Sequence, residues 1–194
     1  MALSALAMCS RALLKIGAST IASFDEGTAE AEVAANLYPS VRDALLSAYP
    51  WSFATGQAIL PRLAAIPVAD YAHAFQLPAD FLRALSAGHS GQGNATRGSG
   101  VAYRIAENRL HADVDSIVLT YIFRPSDEAL PPFFASCLIA RLAAEFTIPL
   151  TENTSRAQLL FELSDREFRS ARLTDSQQDL PPALADFPLI NARG

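Results

Sequence analysis

The sequence predicts an α+β fold: a bundle of about four helices with a small antiparallel sheet or hairpin inserted, and an extended C-terminal tail. Three observations predict it. Apolar residues recur at helical spacing near both ends of the chain. Between about 55 and 125 they alternate instead, and proline and glycine become frequent. After Asp175 the periodicity stops. With 194 residues, 51% of them hydrophobic, the chain is long enough to bury one sizeable core.

Residues 3–16 read as the first helix, with Leu3, Leu6, Leu13 and Leu14 on one side and Gly17 as its stop. A linker holding Ile21 and Phe24 leads into a turn at Asp25, Glu26 and Gly27. The second helix is expected over 28–49. Glu30 and Glu32 suit the positive end of its dipole, and Val33, Leu37, Val41 and Leu45 form a stripe. Pro39 lies inside that stripe and removes a donor to the carbonyl of Ala35, so a kink or a split is expected there. Tyr49, Trp51 and Phe53, within YPWSFA, end the helix in an aromatic knot.

In the insertion, Phe75 with Leu77, and Phe81 to Leu85, read as short strands. Tyr103 and Ile105 face Leu110 across a turn at Glu107 and Asn108, a hairpin pattern. Ile117, Leu119, Tyr121 and Phe123 alternate with Ser116, Thr120 and Arg124, a strong strand signal. The segment Gly88 to Gly100 carries five of the nine glycines and reads as a flexible loop. Pro131 and Pro132 open a third helix, expected over 131–147 and apolar nearly all round, hence central. Arg141 and Glu145 form its i, i+4 ion pair. Thr151 is the expected cap of a fourth helix over 151–173, with Leu160, Phe161, Leu163 and Phe168 as its apolar side. Residues 1–175 are thus expected to form a single domain, and 176–194 an extended arm.

The residues offer little chemistry. Cys9 and Cys137 lie in apolar helical stretches and read as buried thiols, with no disulfide scaffold or zinc spacing. His73, His89 and His111 lack partners at ligand spacing. His111 with Asp113 is a weak pair, better explained by an exposed hairpin than by a metal. The glycine loop lacks GxxxxGK[ST], no GxSxG occurs, and the acid pairs Asp25–Glu26 and Asp127–Glu128 fall in turns. No catalytic residue, metal or cofactor is therefore expected. The net charge of −5, with the fifteen Lys and Arg scattered, argues against a surface that grips nucleic acid. No segment reads as a signal peptide or a membrane span. Only 18% of residues are charged, and mean hydropathy is positive, as for a surface partly covered by partners or, equally, for an alanine-rich core.

The ordered segments ALLKIGASTIASFDEG, VRDALLSAYPWSFA, YAHAFQLPADFLRAL, YRIAENRLHAD and IVLTYIFRPSD, followed by a helical pair, resemble phage head-to-tail adaptor subunits. These are the tail tubular protein A type of short-tailed phages, whose modules also serve gene transfer agents. The resemblance covers about residues 3–175. It implies a structural protein, not an enzyme. Such a protein forms a homo-oligomeric ring, twelve-fold in expectation, beneath a portal protein. The ring is joined below to a tail, nozzle or stopper protein, and DNA passes through the bore as non-specific cargo. It implies synthesis in a bacterial cytoplasm and residence in the neck of a virion or phage-like particle. In such adaptors the C-terminal segment docks on the portal. That would employ Leu180, Pro181, Pro182, Leu184, Phe187, Leu189 and Ile190, an arm with too many large apolar residues to be purely solvated. The alternative is a soluble ligand-binding or enzymatic α+β domain with a pocket the sequence does not reveal.

Overall fold

The computed structural model describes residues 3–68, 70–88 and 100–178. Among these, four helices and two three-stranded antiparallel sheets make an α+β fold. The helices are α1 (Ala5–Lys15), α2 (Ala29–Ala48), α3 (Pro132–Thr151) and α4 (Thr154–Ser176). The strands are β1 (Thr55–Ile59), β2 (His73–Gln76), β3 (Phe81–Gly88), β4 (Tyr103–Ala106), β5 (Arg109–Ala112) and β6 (Val118–Phe123). One sheet runs β1-β6-β3 and the other β2-β5-β4.

Local chemistry sets most helix ends. Ser4 caps α1 by accepting from the Ala7 amide. At the other end Gly17 takes φ +74°, while the amides of Gly17 and Ala18 donate to Leu14 and Leu13. That double bond satisfies two carbonyls the helix leaves free. Thr28 caps α2, and its hydroxyl donates in turn to Glu26. The Glu26 carboxylate also accepts from the amides of Ala22 and Ser23, and these bonds hold its carboxyl below the usual range.

Three expectations need correction. Pro39 does not split α2, which is continuous over 20 residues. Pro39 and Ala35 are both exposed, so the carbonyl that lost its donor can bond to water. Ala31, Ala34 and Leu46 are buried on both sides of it and hold the helix across the gap. Thr151 does not cap α4. It is the last residue of α3, where its hydroxyl donates to the Thr147 carbonyl at 2.6 Å. Asn153 is the cap, accepting from the Arg156 amide at 2.9 Å, so α3 runs past Pro149 and α4 ends three residues later than expected. Leu163 is not on the packed side of α4 but 41% exposed; that side is carried by Ala157, Ser164 and Ala171, with Leu160 and Phe168 partly buried.

α3 is the axis of the helical layer, and α1, α2 and α4 all lie against it. By length and composition it would also pass for a membrane span, but the surrounding elements account for its apolarity: Phe134, Leu138, Leu142 and Phe146 are wholly buried. The β1-β6-β3 sheet is the middle layer. Ile122, Leu82 and Leu85 join the helical core, while Leu119, Tyr121, Phe81 and Ala87 join a second core that includes Phe75 and Leu110 of the other sheet. In β3 the residues on one face are Phe81, Ala84 and Ala87, a spacing of three. Register shifts at Phe81/Arg83 and at Ala84/Ser86 explain it, since each bulge adds a residue to the strand.

Tyr38, Arg42 and Asp43 of α2 tie this helix to the β6–α3 connection. Asp127 accepts from Tyr38 at 2.7 Å and from Arg42 at 2.9 Å, and Arg124 reaches Asp43 at 2.6 Å. Burial, then Asp127, pushes the Tyr38 hydroxyl well above its usual range.

The β4–β5 hairpin turns on Glu107 and Asn108, at φ 52° and 57°. Both central residues lie in the left-handed region, as a type I′ turn requires, and Glu is a poor choice there. Replacing Glu107 with Asn should stabilise the fold by about 0.5 kcal/mol, seen as a higher urea midpoint with an unchanged slope.

Candidate functional site

Tyr49, Trp51 and Phe53 build a corner where α2 hands over to β1. The last carbonyls of a helix have no helical donor. One of these, on Leu45, accepts from the Trp51 indole N–H at 2.9 Å, so the ring is drawn back under its own helix. Trp51 is fully buried. Its centroid lies 5.0 Å from Tyr49, 5.1 Å from Phe134 and 5.8 Å from Phe168, all edge-on, and Phe53 and Phe133 complete the cluster. Edge-to-face pairs place ring hydrogens on the negative face of a neighbour. The guanidinium of Arg172 covers Tyr49 at 4.7 Å. Trp51 is enclosed by these side chains, and its own ring has no exposed face.

Asp175 closes the corner from the far end of the chain. Its buried carboxylate accepts from the Ser52 amide at 3.0 Å and the Ser52 hydroxyl at 2.7 Å. It caps the short 3-10 turn Ser52–Ala54 and fixes the last turn of α4 against the start of β1. Sequence reading placed Asp175 only as the edge of the folded part. Its partner is 123 residues away, and no local signal announces the bond.

The arm residues Leu180, Pro181, Pro182, Leu184, Phe187, Leu189 and Ile190 lie outside the described residues, as do His89 and the interior of the glycine segment. The chain beyond Gln178 therefore starts from a fixed root beside the aromatic corner.

A groove of about 480 Å³ opens between α2 and α4. Leu37, Val41 and Leu45, from the stripe read in the sequence, form one wall and are half-buried against the core, beside the fully covered Ala31, Ala34, Tyr38 and Leu46. Phe168 and Ser164 stand on the α4 side. The charges along the groove are already paired, with Arg141 3.0 Å from Glu145 and 3.8 Å from Asp165.

His73 and His111 do not converge. His73 lies 3.5 Å from Asp115, whereas His111 lines a separate depression beside Arg104, Arg109 and Asp70. Asp113 does not pair with His111 but accepts from the Ala72 amide at 2.8 Å. Among the described residues no group of His, Cys, Asp or Glu is placed to hold a metal. Cys9 and Cys137 are free and buried, and burial pushes both thiols up to about 12.

No family model matches the chain, and no curated protein matches it significantly.

Asp175→Ala should destabilise the chain by about 1–3 kcal/mol in urea unfolding, because the Ser52 amide loses its acceptor in a buried place. The thiols predict an alkaline effect. A raised folded-state pKa means that only the unfolded chain ionises between the ordinary value of 9.0 and about 12. Stability from this source is complete below pH 9 and is lost as the pH rises through that window. Unfolding midpoints measured at pH 8 and pH 10.5 should fall, and Cys9→Ala with Cys137→Ala should flatten the decline.

Proposed function

We propose that the chain is a structural subunit of a head-to-tail adaptor: a ring between the portal and the tail, nozzle or stopper of a phage or phage-like particle, with DNA passing through the bore. The observation that carries the reading is the order of the family-like segments. They fall in sequence on the joints of the fold. YPWSFA is the buried corner between α2 and β1, YRIAENRLHAD is the β4–β5 hairpin, and IVLTYIFRPSD is β6 with its exit toward α3. Joints carry more of a fold's identity than helix faces do, because they need particular side chains and not merely apolar ones.

Two further features support it. Large apolar side chains stand in solvent on two separate parts of the subunit: Leu159 at 56% and Leu173 at 63% on α4, Ile66 at 77% and Val68 at 105% in the segment before β2. A ring subunit must offer two different surfaces to its two neighbours, since head-to-tail contacts are not self-complementary. The net charge of −5 also suits a duct that lets DNA slide without holding it.

Electron micrographs of the purified chain, alone or mixed with its portal, should show closed rings; a chain that stays monomeric in both conditions overturns the reading. A chain ending at Gln178 should melt like the full chain, because Asp175 and its Ser52 bonds remain, yet fail to join portal complexes. Normal attachment would remove the portal contact from residues 180–190.

A further inference from the structure

We infer that the outward face of α4 is a contact between two copies of this chain, packed antiparallel about a two-fold axis near Arg166. The inference does not rest on the adaptor reading, because it concerns the free chain in solution.

The first argument is the pattern of that face. Leu159, Leu163, Arg166, Ser170 and Leu173 follow one another at steps of four, three, four and three residues. At about 3.6 residues per turn they fall within about 80° of one another, and Leu159 and Leu173 lie about 21 Å apart along the helix. This is the seam spacing by which helices pair side by side. The seam points away from the core, since Ala157, Ser164 and Ala171 on the opposite side of α4 are buried. The three leucines are 56%, 41% and 63% exposed. Set at seam spacing on one helix, they form a stripe and not the scattered single residues of an ordinary surface.

The second argument is charge, and it names the occupant. Glu162 and Arg169 border the stripe on the same side, one heptad apart. Both are exposed, and no ion pair among the described residues uses either. Charges flanking such a seam set the choice and direction of the partner helix. A second copy turned end for end about an axis between Asp165 and Arg166 sets Glu162 opposite its Arg169, and Arg169 opposite its Glu162. The same turn brings Leu159 within one residue of Leu173 of the second copy. Arg166 lies nearest the axis, level with Asp165 of the second copy. In a parallel pair Glu162 would meet Glu167 across the seam instead, and like charges there are repulsive.

The third argument is what the face would refuse. Glu162, Asp165 and Glu167 share it with the arginines, so a phosphate surface would meet acids wherever it met cations. A partner with both signs in reversed order answers every charge, and α4 itself has that order. Arg166 and Ser170 interrupt the leucines, which weakens the pair and fixes its register. An isologous contact closes at two copies. It covers one of the two apolar surfaces that the adaptor reading gives to ring neighbours, so joining a ring would require the pair to open.

The test is sedimentation equilibrium of the full chain without any other protein. The native chain should exchange between monomer and dimer with a dissociation constant of about 10 µM, as suits a short contact. Glu162→Arg alone and Arg169→Glu alone should each weaken the pair about tenfold or more, because each sets like charges opposite one another at two places. Both changes in one chain should restore it. An equal mixture of the two single variants should restore it as well, since both contacts are then attractive. The altered side chains are exposed, so urea midpoints should match the native chain. A chain monomeric at about 1 mM overturns the inference. A dimer that the single variants do not weaken also overturns it, as does one that neither the double change nor the mixture restores. Native assemblies of more than two copies overturn it too, by giving the stripe to a head-to-tail contact. That last result would favour the adaptor reading, and a monomer that forms rings on a portal would sink this inference alone, so the two failures are separate results.

Discussion

The indole of Trp51 is the contact on which the arrangement of the helices and the middle sheet turns. Its N–H reaches back to Leu45 at the end of α2, and its ring meets Phe134 of α3 and Phe168 of α4. The residues that follow it lead directly into β1 through the Ser52 turn, and the Thr55 hydroxyl donates back to the Trp51 carbonyl at 2.7 Å. Three helices and the start of a sheet are thus indexed to one side chain. A fully buried aromatic ring brings a large apolar area, while its single donor, once satisfied, fixes orientation. Asp175 adds a second tie at the same place, by a buried carboxylate that Ser52 satisfies twice.

Around this corner the layers follow from where apolar surface must go. α3 is apolar on nearly every side and so is surrounded. The middle sheet is apolar on both faces and so lies between the helices and the second sheet. Bulges in β3 let one strand serve both cores despite its uneven spacing. Polar ties then lock elements that share little apolar contact, as the Tyr38–Arg42–Asp127 group does between α2 and the connection into α3.

What remains outside these layers bears on function. The exposed leucines of α4 and the apolar segment before β2 are surfaces that folding of the described residues leaves uncovered. They lie on separate parts of the fold, one on α4 and the other before β2. The root of the C-terminal segment at the aromatic corner makes that corner a joint between the fold and whatever the segment meets.

The sequence by itself determined what depends on near neighbours. The alternation of β6, the Glu107–Asn108 turn, the glycine stop of α1 and the all-round apolarity of α3 are properties of residues a few positions apart, and each is legible as a period or a cap. The tertiary structure decided the rest. Pro39 reads as a break, yet the helix continues, because burial on either side outweighs one missing hydrogen bond. Leu163 reads as part of the apolar side of α4 but is 41% exposed, while the small residues Ala157, Ser164 and Ala171 are buried. Val33, Leu37, Val41 and Leu45 read as one apolar stripe of α2 and do pack, partly buried, against the core, yet the residues buried most completely are Ala31, Ala34, Tyr38 and Leu46 beside them. Asp175 reads as the edge of a tail and proves to be a buried cap for a residue 123 positions earlier. Local patterns state which residues prefer burial and which prefer a turn. How deeply each residue of an apolar stripe is buried, and which distant amide a carboxylate meets, depends on packing between elements far apart in the chain, and no window of sequence contains that information.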